Sequence, residues 1–264
     1  MMYYLRVADM DPEPCRSRLF YSGPGYSQLE DSSDRNYGMS RRTSGFLYGE
    51  LPEAERVSYY TEVHKVTCSD LSGIHEARYS LRGCDPAWFD VFAYTFLAGR
   101  PISQEEWDAG RRVVVLSEKV ALDIFQTADV VGEEILVDFH PTRVVGVVKP
   151  VSQLFVTAYA DVWVPVTAFY PDAMQDRAGG LRGSYRAAVV RKPGVSEQEV
   201  RAAVERKVDQ LNAELTDYTF RLYQLRTHEQ HMFFQESRMI PSLVFVLLMS
   251  VLLIVPAINI SGMV

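Results

Sequence analysis

The sequence has few cysteines. Its 264 residues include only Cys15, Cys68 and Cys84, which are too few for a disulfide scaffold, and the odd number leaves at least one thiol unpaired within the monomer. Cys68 and Cys84 could form one bridge. The sequence leaves this open, because a bridge needs Cα atoms about 5.5 Å apart and sequence spacing does not give that distance.

The sequence also lacks an excess of positive charge. It has 27 Lys and Arg residues against 34 Asp and Glu residues, for a formal net charge of -7. We therefore expect no nucleic acid partner, because electrostatic binding of nucleic acid phosphates requires an excess of positive charge. Hydrophobic residues make up 47% and charged residues 23%, a composition that is typical of a folded protein and excludes wholesale disorder.

Motifs that carry catalysis are missing. No Gly-Lys pair occurs in the sequence, so a Walker-type phosphate loop is excluded. Ser117 follows an apolar run but lacks the flanking glycines of a nucleophile elbow, and we interpret it as a helix cap. The pairs Glu105-Glu106 and Glu133-Glu134 are interpreted as solvated surface. We expect no enzymatic activity, no catalytic residue and no cofactor.

Two histidines stand close together near the end of the polar part. His228 and His231 are three residues apart at a predicted helix start, near enough for both imidazoles to bind one metal ion. The zincin pattern needs a spacing of four residues, and no third ligand is apparent. We therefore predict a solvated helix face and no metal site.

Charge disappears at the C-terminal end. No charged side chain occurs from Met239 to Val264. At about 1.5 Å per residue, a helix over 239–260 would span about 33 Å, enough to cross a hydrocarbon core of about 30 Å. We predict a transmembrane helix there. The opening MMYYLR lacks the basic and apolar regions of a secretory signal.

The middle of the chain has clear local patterns. The apolar run 113–116 predicts a strand that leads into a helix ending at Phe125. The segments 134–138 and 143–148 are predicted to be strands joined by a turn at 139–142.

The first part is less regular. A loop is predicted over 29–42, a short helix over 44–51 and a strand over the alternating segment 55–66. Trp88 and Phe92, with Phe89 between them, are predicted to anchor a small core.

The later part predicts a strand, helix, strand unit. A strand at 185–192 is followed by Ser196 and Glu199 in a capping-box pattern, which predicts a helix start. An apolar stripe along that helix would face a core, and a strand at 218–225 would follow. The stripe consists of Val200, Val204, Val208, Leu211 and Leu215.

A second capping box predicts the start of the last helix. Thr227 and Gln230 stand three residues apart, and nothing breaks the segment before Pro241. We predict a stalk helix that continues into the membrane with a kink near this proline.

Several segments together resemble a known family. They are WFDVFAYTFLAGRPI (88–102), RVVVLSEKVALDIF (112–125), VG (131–132), TRVVGVVK (142–149), DVWVP (161–165) and VPAINISGM (255–263). Their order is similar to that of MacB/FtsX-type ABC transporter permeases, and the resemblance covers residues 15–264. The sequence departs from the family at 126–128, where Gln-Thr-Ala replaces a turn that commonly contains glycine.

The resemblance implies an α+β fold with two lobes. A strand-helix-strand lobe would be formed by residues 1–66 and 185–226, with an inserted mixed α+β lobe at 67–184. A stalk helix at 227–238 would lead into the transmembrane helix at 239–260, the second of four membrane helices.

The resemblance also implies a function. The chain would be part of a permease in the bacterial inner (plasma) membrane, with residues before about 239 in the periplasm. It would pair with a cytoplasmic ABC ATPase subunit and transmit ATP-driven motion for efflux or extraction of a lipoprotein, peptide or similar substrate. Permease chains would form a homodimer or heterodimer in contact with membrane lipid.

The stalk would then contain the residues that matter for transmission. Phe233, Phe234 and Arg238 are predicted near the membrane surface, and Arg238 can extend its charge to the headgroups while its apolar stem stays buried. A merely solvated helix face remains an equal alternative for each of them.

Two other functions remain open from the sequence. A single-span membrane-anchored sensor or ligand-binding module would hold a small ligand between its lobes. Two further hydrophobic spans beyond Val264 would favour the permease, and a cytoplasmic signalling domain would favour the sensor. A membrane-tethered hydrolase is the third possibility, for which the sequence offers no catalytic constellation.

Overall fold

The structure is a computed structural model that describes residues 12–22, 25–29, 32–33, 38–153, 155–169, 180–216, 219–222 and 225–237. The predicted membrane helix at 239–260 and the predicted kink at Pro241 lie outside these ranges. Among the helices within them, none is both long enough and apolar enough to cross a bilayer.

The described residues form an α+β fold, as the sequence predicts. The strands are β1 (Leu19–Ser22), β2 (Gly25–Leu29), β3 (Ser32–Ser33), β4 (Gly38–Met39), β5 (Ala54–Tyr60), β6 (His64–Ser69), β7 (Glu76–Cys84), β8 (Phe96–Gly99), β9 (Val113–Ser117), β10 (Glu134–Val137), β11 (His140–Val148), β12 (Val162–Pro165), β13 (Arg182–Gly183), β14 (Arg186–Arg191), β15 (Thr219–Leu222) and β16 (Leu225–Thr227). The helices are α1 (Arg41–Tyr48), α2 (Trp88–Val91), α3 (Gln104–Asp108), α4 (Glu118–Phe125), α5 (Val166–Phe169), α6 (Glu197–Glu214) and α7 (His228–Ser237).

Six strands close into a ring. Around the ring, β7 pairs with β6, β6 with β10, β10 with β11, β11 with β9, β9 with β12, and β12 returns to β7. The β11–β9 and β12–β7 pairs are parallel, and the other four are antiparallel. Closure satisfies backbone groups that an open sheet leaves unpaired at its edges.

All six strands of the ring contribute to one apolar cluster, which we call the ring core. Because side chains alternate between the faces of a strand, residues of one set from every strand share the interior of a closed ring. Helix α4 adds its buried apolar residues Val120, Ala121 and Ile124. Members of the ring core include Cys68, Leu81, Val114, Leu116, Val120, Ile124, Ile135, Val137, Val144 and Val164.

An open antiparallel sheet continues from the ring through β5, β14, β1 and β16. Helices α1 and α6 pack against it, and the α6 residues Val200, Val204 and Leu211 are buried as the predicted stripe requires. The capping box of α6 is formed: Glu199 N–H donates to the Ser196 hydroxyl, and Ser196 N–H donates to the Glu199 carboxylate. Strand β1 lies between β14 and β16 and is antiparallel to both.

The ring and the open sheet meet where Tyr60 of β5 pairs with Cys84 of β7. Trp88 and Phe92 are fully buried in a cluster at this junction, with ring centroids 4.1 Å apart. Their predicted role in a core is confirmed, and Phe89 packs against the cluster partly buried. The domain limits placed at 66/67 and 184/185 stay a prediction.

Several predicted elements have different limits in the structure. The segment 55–66 contains two strands, β5 and β6, rather than one. The segment 218–225 is divided between β15, which pairs with β2, and β16, which pairs with β1. Helix α1 begins at Arg41 rather than at 44, within the predicted loop, because the Ser40 hydroxyl accepts a hydrogen bond from the Thr43 N–H.

The turn after β10 and the turn that ends α4 differ from what the sequence predicts. The β10–β11 turn has two residues rather than four, because His140 and Pro141 already pair with β10. Asp138 and Phe139 form this turn with φ angles of 45° and 66°, as a type I′ turn requires. Gln126 ends α4 with φ 62°, so the left-handed position is present without a glycine.

The possible Cys68–Cys84 bridge is absent, since all three cysteines are free. Cys68 pairs with Ala77, which is seven residues from Cys84 along β7. At about 3.3 Å per residue, the two cysteines are about 23 Å apart. Burial raises the pKa of the Cys68 thiol to about 12, which makes it an unreactive core residue.

Candidate functional site

The residues predicted for transmission fall at the limit of the described chain. Phe233 and Phe234 belong to α7, but their side chains lie outside what the structure describes, and so does Arg238. Their roles stay predictions. The start of the same helix is described in detail.

The first turn of α7 is fixed by its own side chains. Gln230 N–H donates to the Thr227 hydroxyl at 3.3 Å, and Thr227 N–H donates to the Gln230 side-chain oxygen at 3.2 Å. The predicted capping box is therefore confirmed. It sets His228 and His231 on neighbouring positions of one helix face, since residues three apart lie close together on a helix.

Both histidines face the protein rather than solvent, so the predicted solvated face is wrong for them. His231 Nε2 lies 2.7 Å from Thr157 Oγ1, in the loop before β12. His228 Nδ1 lies 3.3 Å from the carboxylate oxygen Oε2 of Glu13, which is 1% exposed. The helix is therefore held by a segment before β1 and by a loop next to the ring.

Tyr21 of β1 lies in the middle of these contacts. Its ring stacks on the His231 ring with centroids 4.2 Å apart, and its hydroxyl donates to Glu13 Oε1 at 3.0 Å. Burial raises the pKa of Tyr21 well above its ordinary value, so the phenol keeps its proton. We call Glu13, Tyr21, Thr157, His228 and His231 the helix anchor.

The electrostatic surroundings keep His231 neutral. Burial lowers the pKa of His231 to about 4, and the neighbouring basic groups act in the same direction, Arg226 most and then His228, Arg186 and Arg82. A neutral imidazole can both stack on Tyr21 and hydrogen-bond with Thr157. His231 therefore keeps both of these contacts at neutral pH.

Arg82 of β7 is a buried cation at the junction of ring and open sheet. It is 3% exposed, donates to the carbonyl oxygen of Thr61 at 2.7 Å, and lies over the rings of Tyr60 and Trp88 at 5.2 and 5.1 Å. Burial lowers its pKa. A guanidinium in this position combines hydrogen bonding with cation–π contact.

The two carboxylate pairs singled out in the sequence, Glu105-Glu106 and Glu133-Glu134, are not part of the helix anchor. Glu106 is buried and forms a bidentate pair with Arg100 at 2.7 and 2.9 Å, so it is not the solvated residue that was predicted. The hydrogen bond with Arg100 is the main cause that lowers its pKa to about 2. Glu105, Glu133 and Glu134 are exposed.

Two further predictions concern a helix cap and a metal site. Ser117 is at the N-cap of α4, but its hydroxyl accepts no capping hydrogen bond. Within the described residues no group of three or more His, Cys, Asp or Glu side chains could hold a metal ion.

Sequence reasoning found the two histidines and missed their partners. The capping box shows that His228 and His231 share a face, and that signal is local. Glu13, Tyr21 and Thr157 carry no local signal, because they reach the histidines only through long-range folding.

The fold is similar to that of two solved bacterial domains. The periplasmic region of MacB from Actinobacillus actinomycetemcomitans has a TM-score of 0.58 at 18% identity, covering 79% of this chain and 90% of that one. A domain of a permease protein from Porphyromonas gingivalis has a TM-score of 0.56 at 17% identity, covering 81% and 92%. At these identities the likeness shows the fold alone.

Sequence relatives agree. The macrolide export ATP-binding/permease protein MacB of Escherichia coli K12 is 36% identical over 88 residues, which are 33% of this chain and 14% of that protein. MacB of Shigella flexneri matches to the same extent. The match thus spans a small part of these relatives' length.

The decisive match is to a family model, that of the MacB-like periplasmic core domain, which covers residues 12–207. This is well over half of the chain, and it includes the ring, β1, β5, β14 and the start of the helix α6. The chain therefore belongs to the family of MacB-like periplasmic core domains, the extracytoplasmic domains of ABC transporter permeases.

Proposed function

We propose that this domain transmits movement between a membrane helix and its two sheet regions, as part of an ABC transporter permease in the bacterial inner membrane. The observation that carries the proposal is the helix anchor. Helix α7 runs toward the predicted membrane segment 239–260, and its first turn is bound by buried contacts rather than by a flexible linker.

The anchor connects α7 to both regions of the fold. Tyr21 belongs to β1 in the open sheet, and Thr157 lies in the loop that leads into β12 of the ring. A displacement of α7 along or across its axis would therefore act on both at once. Packed elements of this kind pass on small shifts because protein interiors are dense and hard to compress.

The proposal includes partners that act on the other side of the membrane. A cytoplasmic ABC ATPase would drive the movement, in keeping with the name of the E. coli relative, which joins ATP binding and permease in one protein. Two permease chains would work as a dimer in membrane lipid. The substrate would be a lipoprotein, a peptide or a similar molecule, and this role requires no catalytic residue in the domain.

The test begins with the protein expressed from its complete gene. It is co-purified with the ATPase encoded beside it, and ATP hydrolysis is measured in lipid with and without the permease. We expect a stable complex whose ATPase rate depends on the permease. A permease that stays in the membrane alone, with no effect on hydrolysis, would contradict the proposal.

The transmission of movement is tested by measuring the distance between α7 and the ring. Spin labels are attached through Glu229→Cys on α7 and Leu122→Cys on α4, in a background with Cys15→Ser. ATP should change the label distance in the otherwise normal protein, and His231→Ala should reduce that change while the ATPase complex persists. His140→Ala, at an exposed histidine of the ring, is the matched control. Equal distance changes in the two variants would refute a role for the anchor.

A further inference from the structure

A cavity of about 280 Å³ lies on the side of the fold formed by α1, α3 and the turn before α2, and shares no residue with the helix anchor. Its lining includes Arg41 and Gly45 of α1, Asp85 of the turn and Trp107 of α3. Elements from the open sheet and from the segment inserted between β5 and β14 therefore meet around one space. Nothing in the proposed transmission role uses this space.

Among the described residues that line the cavity, three are aromatic and one, Arg41, is a cation. Trp107 is 6% exposed and Tyr185 is 3% exposed, and both line the space together with Tyr59. The guanidinium carbon of Arg41 lies 5.8 Å from the centroid of the Trp107 ring. Within the described residues, Arg41 forms no ion pair with a carboxylate. Its charge is therefore available beside an apolar surface.

Asp85 is the carboxylate of the cavity, and its oxygens are already occupied. Ser58 Oγ donates to Oδ1 at 2.7 Å, Trp88 N–H donates to Oδ1 at 3.0 Å, and Tyr59 N–H donates to Oδ2 at 2.9 Å. Burial raises the pKa of Asp85 to about 7, which weakens its negative charge near neutral pH. A cationic ligand therefore finds little to bind, and Arg41 determines the charge preference.

Gly45 is unexplained by the fold itself. It lies inside α1, where glycine costs about 0.5–1 kcal/mol relative to alanine. Its φ is not positive, and a Cβ atom built there would meet nothing within 4 Å. Neither backbone geometry nor a neighbouring side chain requires the glycine, whereas a ligand in the cavity would use the space.

We propose that this cavity binds a carboxylate attached to one apolar or aromatic group, with Arg41 holding the carboxylate and Trp107 and Tyr185 enclosing the apolar part. Guanidinium groups bind carboxylates through paired, charge-assisted hydrogen bonds. The volume of about 280 Å³ lies just below the range of drug-sized ligand sites, about 300–1,000 Å³, and fits a single residue. Both an N-acylated amino acid and the C-terminal residue of a peptide have this chemistry.

The test uses the full 264-residue chain in a non-ionic detergent, titrated with N-acetyl-L-phenylalanine. Of the three tryptophans, Trp107 is the one that lines the cavity, so a change in tryptophan fluorescence on binding should come from Trp107, and Trp107→Phe should abolish it. We expect a saturable response. N-acetyl-L-phenylalaninamide should bind at least about tenfold more weakly, because it lacks the charge that Arg41 pairs with.

Two pairs of variants distinguish binding in the cavity from nonspecific binding to the protein surface. Arg41→Gln should weaken binding at least about tenfold, whereas Arg42→Gln, at the exposed neighbour outside the cavity, should not. Gly45→Leu should fill the cavity and abolish binding, whereas Gly45→Ala should preserve it. Circular dichroism checks that each variant is folded, and the exposed Arg41 provides the test if Gly45→Leu does not fold.

The source of the ligand is distinguished by a peptide. Binding of a tetrapeptide ending in a free phenylalanine carboxylate, but not of its amide, would assign the site to peptide C-termini. Binding of N-acetyl-L-phenylalanine alone would assign it to small carboxylic acids, and both results support the proposed chemistry. No saturable response up to about 10 mM, equal binding of acid and amide, or equal binding by Arg41→Gln and Arg42→Gln would overturn it. These outcomes do not depend on ATPase coupling, so this proposal and the transmission role fail separately.

Discussion

The ring core and the helix anchor are both buried, but they are held together by different forces. The ring core consists almost wholly of aliphatic side chains such as Leu116, Ile135 and Val164. The helix anchor places two imidazoles, a carboxylate and a phenol within hydrogen-bonding or stacking distance. The ring should therefore respond to changes in side-chain volume, and the anchor to changes in protonation.

This difference fits a domain that transmits movement. Apolar packing has no direction of its own and resists any loss of volume, so a closed ring is a suitable rigid body. Hydrogen bonds to imidazoles have direction and depend on the proton, so they suit a contact that must hold or release one helix. If the two regions are independent in this way, a change in one should leave the other intact.

The largest effect is expected from a cavity in the ring core. Leu116 is fully buried, and Leu116→Ala should lower the free energy of unfolding by about 2–5 kcal/mol, since lost transfer energy and the cavity add. Urea denaturation measures the loss. Leu122→Ala, on the same helix–strand unit but 45% exposed, is the matched control and should cost well under half as much. Similar losses in the two variants would show that the ring is not the rigid core.

The second prediction concerns pH and the anchor. Docked His231 stays neutral down to its pKa of about 4, whereas a free imidazole gains a proton near 6.5. The undocked helix is therefore protonated first, and docking of α7 should be fully stable above about pH 6.5 and weaken as the pH falls toward 4. Hydrogen exchange of α7 amides, corrected for intrinsic rates, should show this loss, while β9 amides keep their protection.

His231→Gln should remove this pH dependence, because glutamine does not titrate. His140→Gln, at an exposed imidazole in the ring, should leave it unchanged. Asp85 should have the opposite effect on stability. Its pKa of about 7 lies above that of a free carboxyl, so the folded state binds the proton first, and its contribution to global stability grows as the pH falls from about 6.5 toward 4. Loss of β9 and α7 protection together at low pH would mean global unfolding and would contradict a local release.

Local patterns in the sequence predicted the parts of this fold that depend on neighbouring residues. The capping boxes at Ser196 and Thr227 and the buried stripe of α6 follow from helix periodicity, and the structure confirms them. The parallel β12–β7 pair that closes the ring joins distant segments and carries no periodic signal. The prediction of a solvated face for His228 and His231 was wrong for the same reason: the residues between them, Glu229 and Gln230, are polar. Only the folded chain brings Glu13 and Thr157 to the two histidines.

A third prediction removes one contact of the anchor. Thr157→Val keeps the side-chain shape but deletes the hydroxyl 2.7 Å from His231 Nε2. A lost hydrogen bond with a buried partner costs about 1–3 kcal/mol. Faster exchange of α7 amides at constant pH should report this loss, and the urea midpoint of the ring should move little. Unchanged α7 exchange would show that the remaining contacts, His231 with Tyr21 and His228 with Glu13, hold the helix without Thr157.

The smallest effect is expected at the tip of the ring, where Phe139 has φ 66° and is 79% exposed. A left-handed conformation costs a non-glycine residue about 1–2 kcal/mol, and glycine in place of Phe139 removes that cost but gives the unfolded chain about 0.5–1 kcal/mol of extra freedom. Phe139→Gly should therefore stabilise the ring by about 0.5 kcal/mol, while Phe139→Ala, which keeps a Cβ atom at the same φ, should give no gain. The two variants differ by this Cβ atom, so their difference does not include the loss of the exposed ring. It reports the backbone strain minus the extra freedom that glycine gives the unfolded chain. If Phe139→Gly is less stable than Phe139→Ala, the strain at this turn is too small to matter, and the ring has no weak point at its tip.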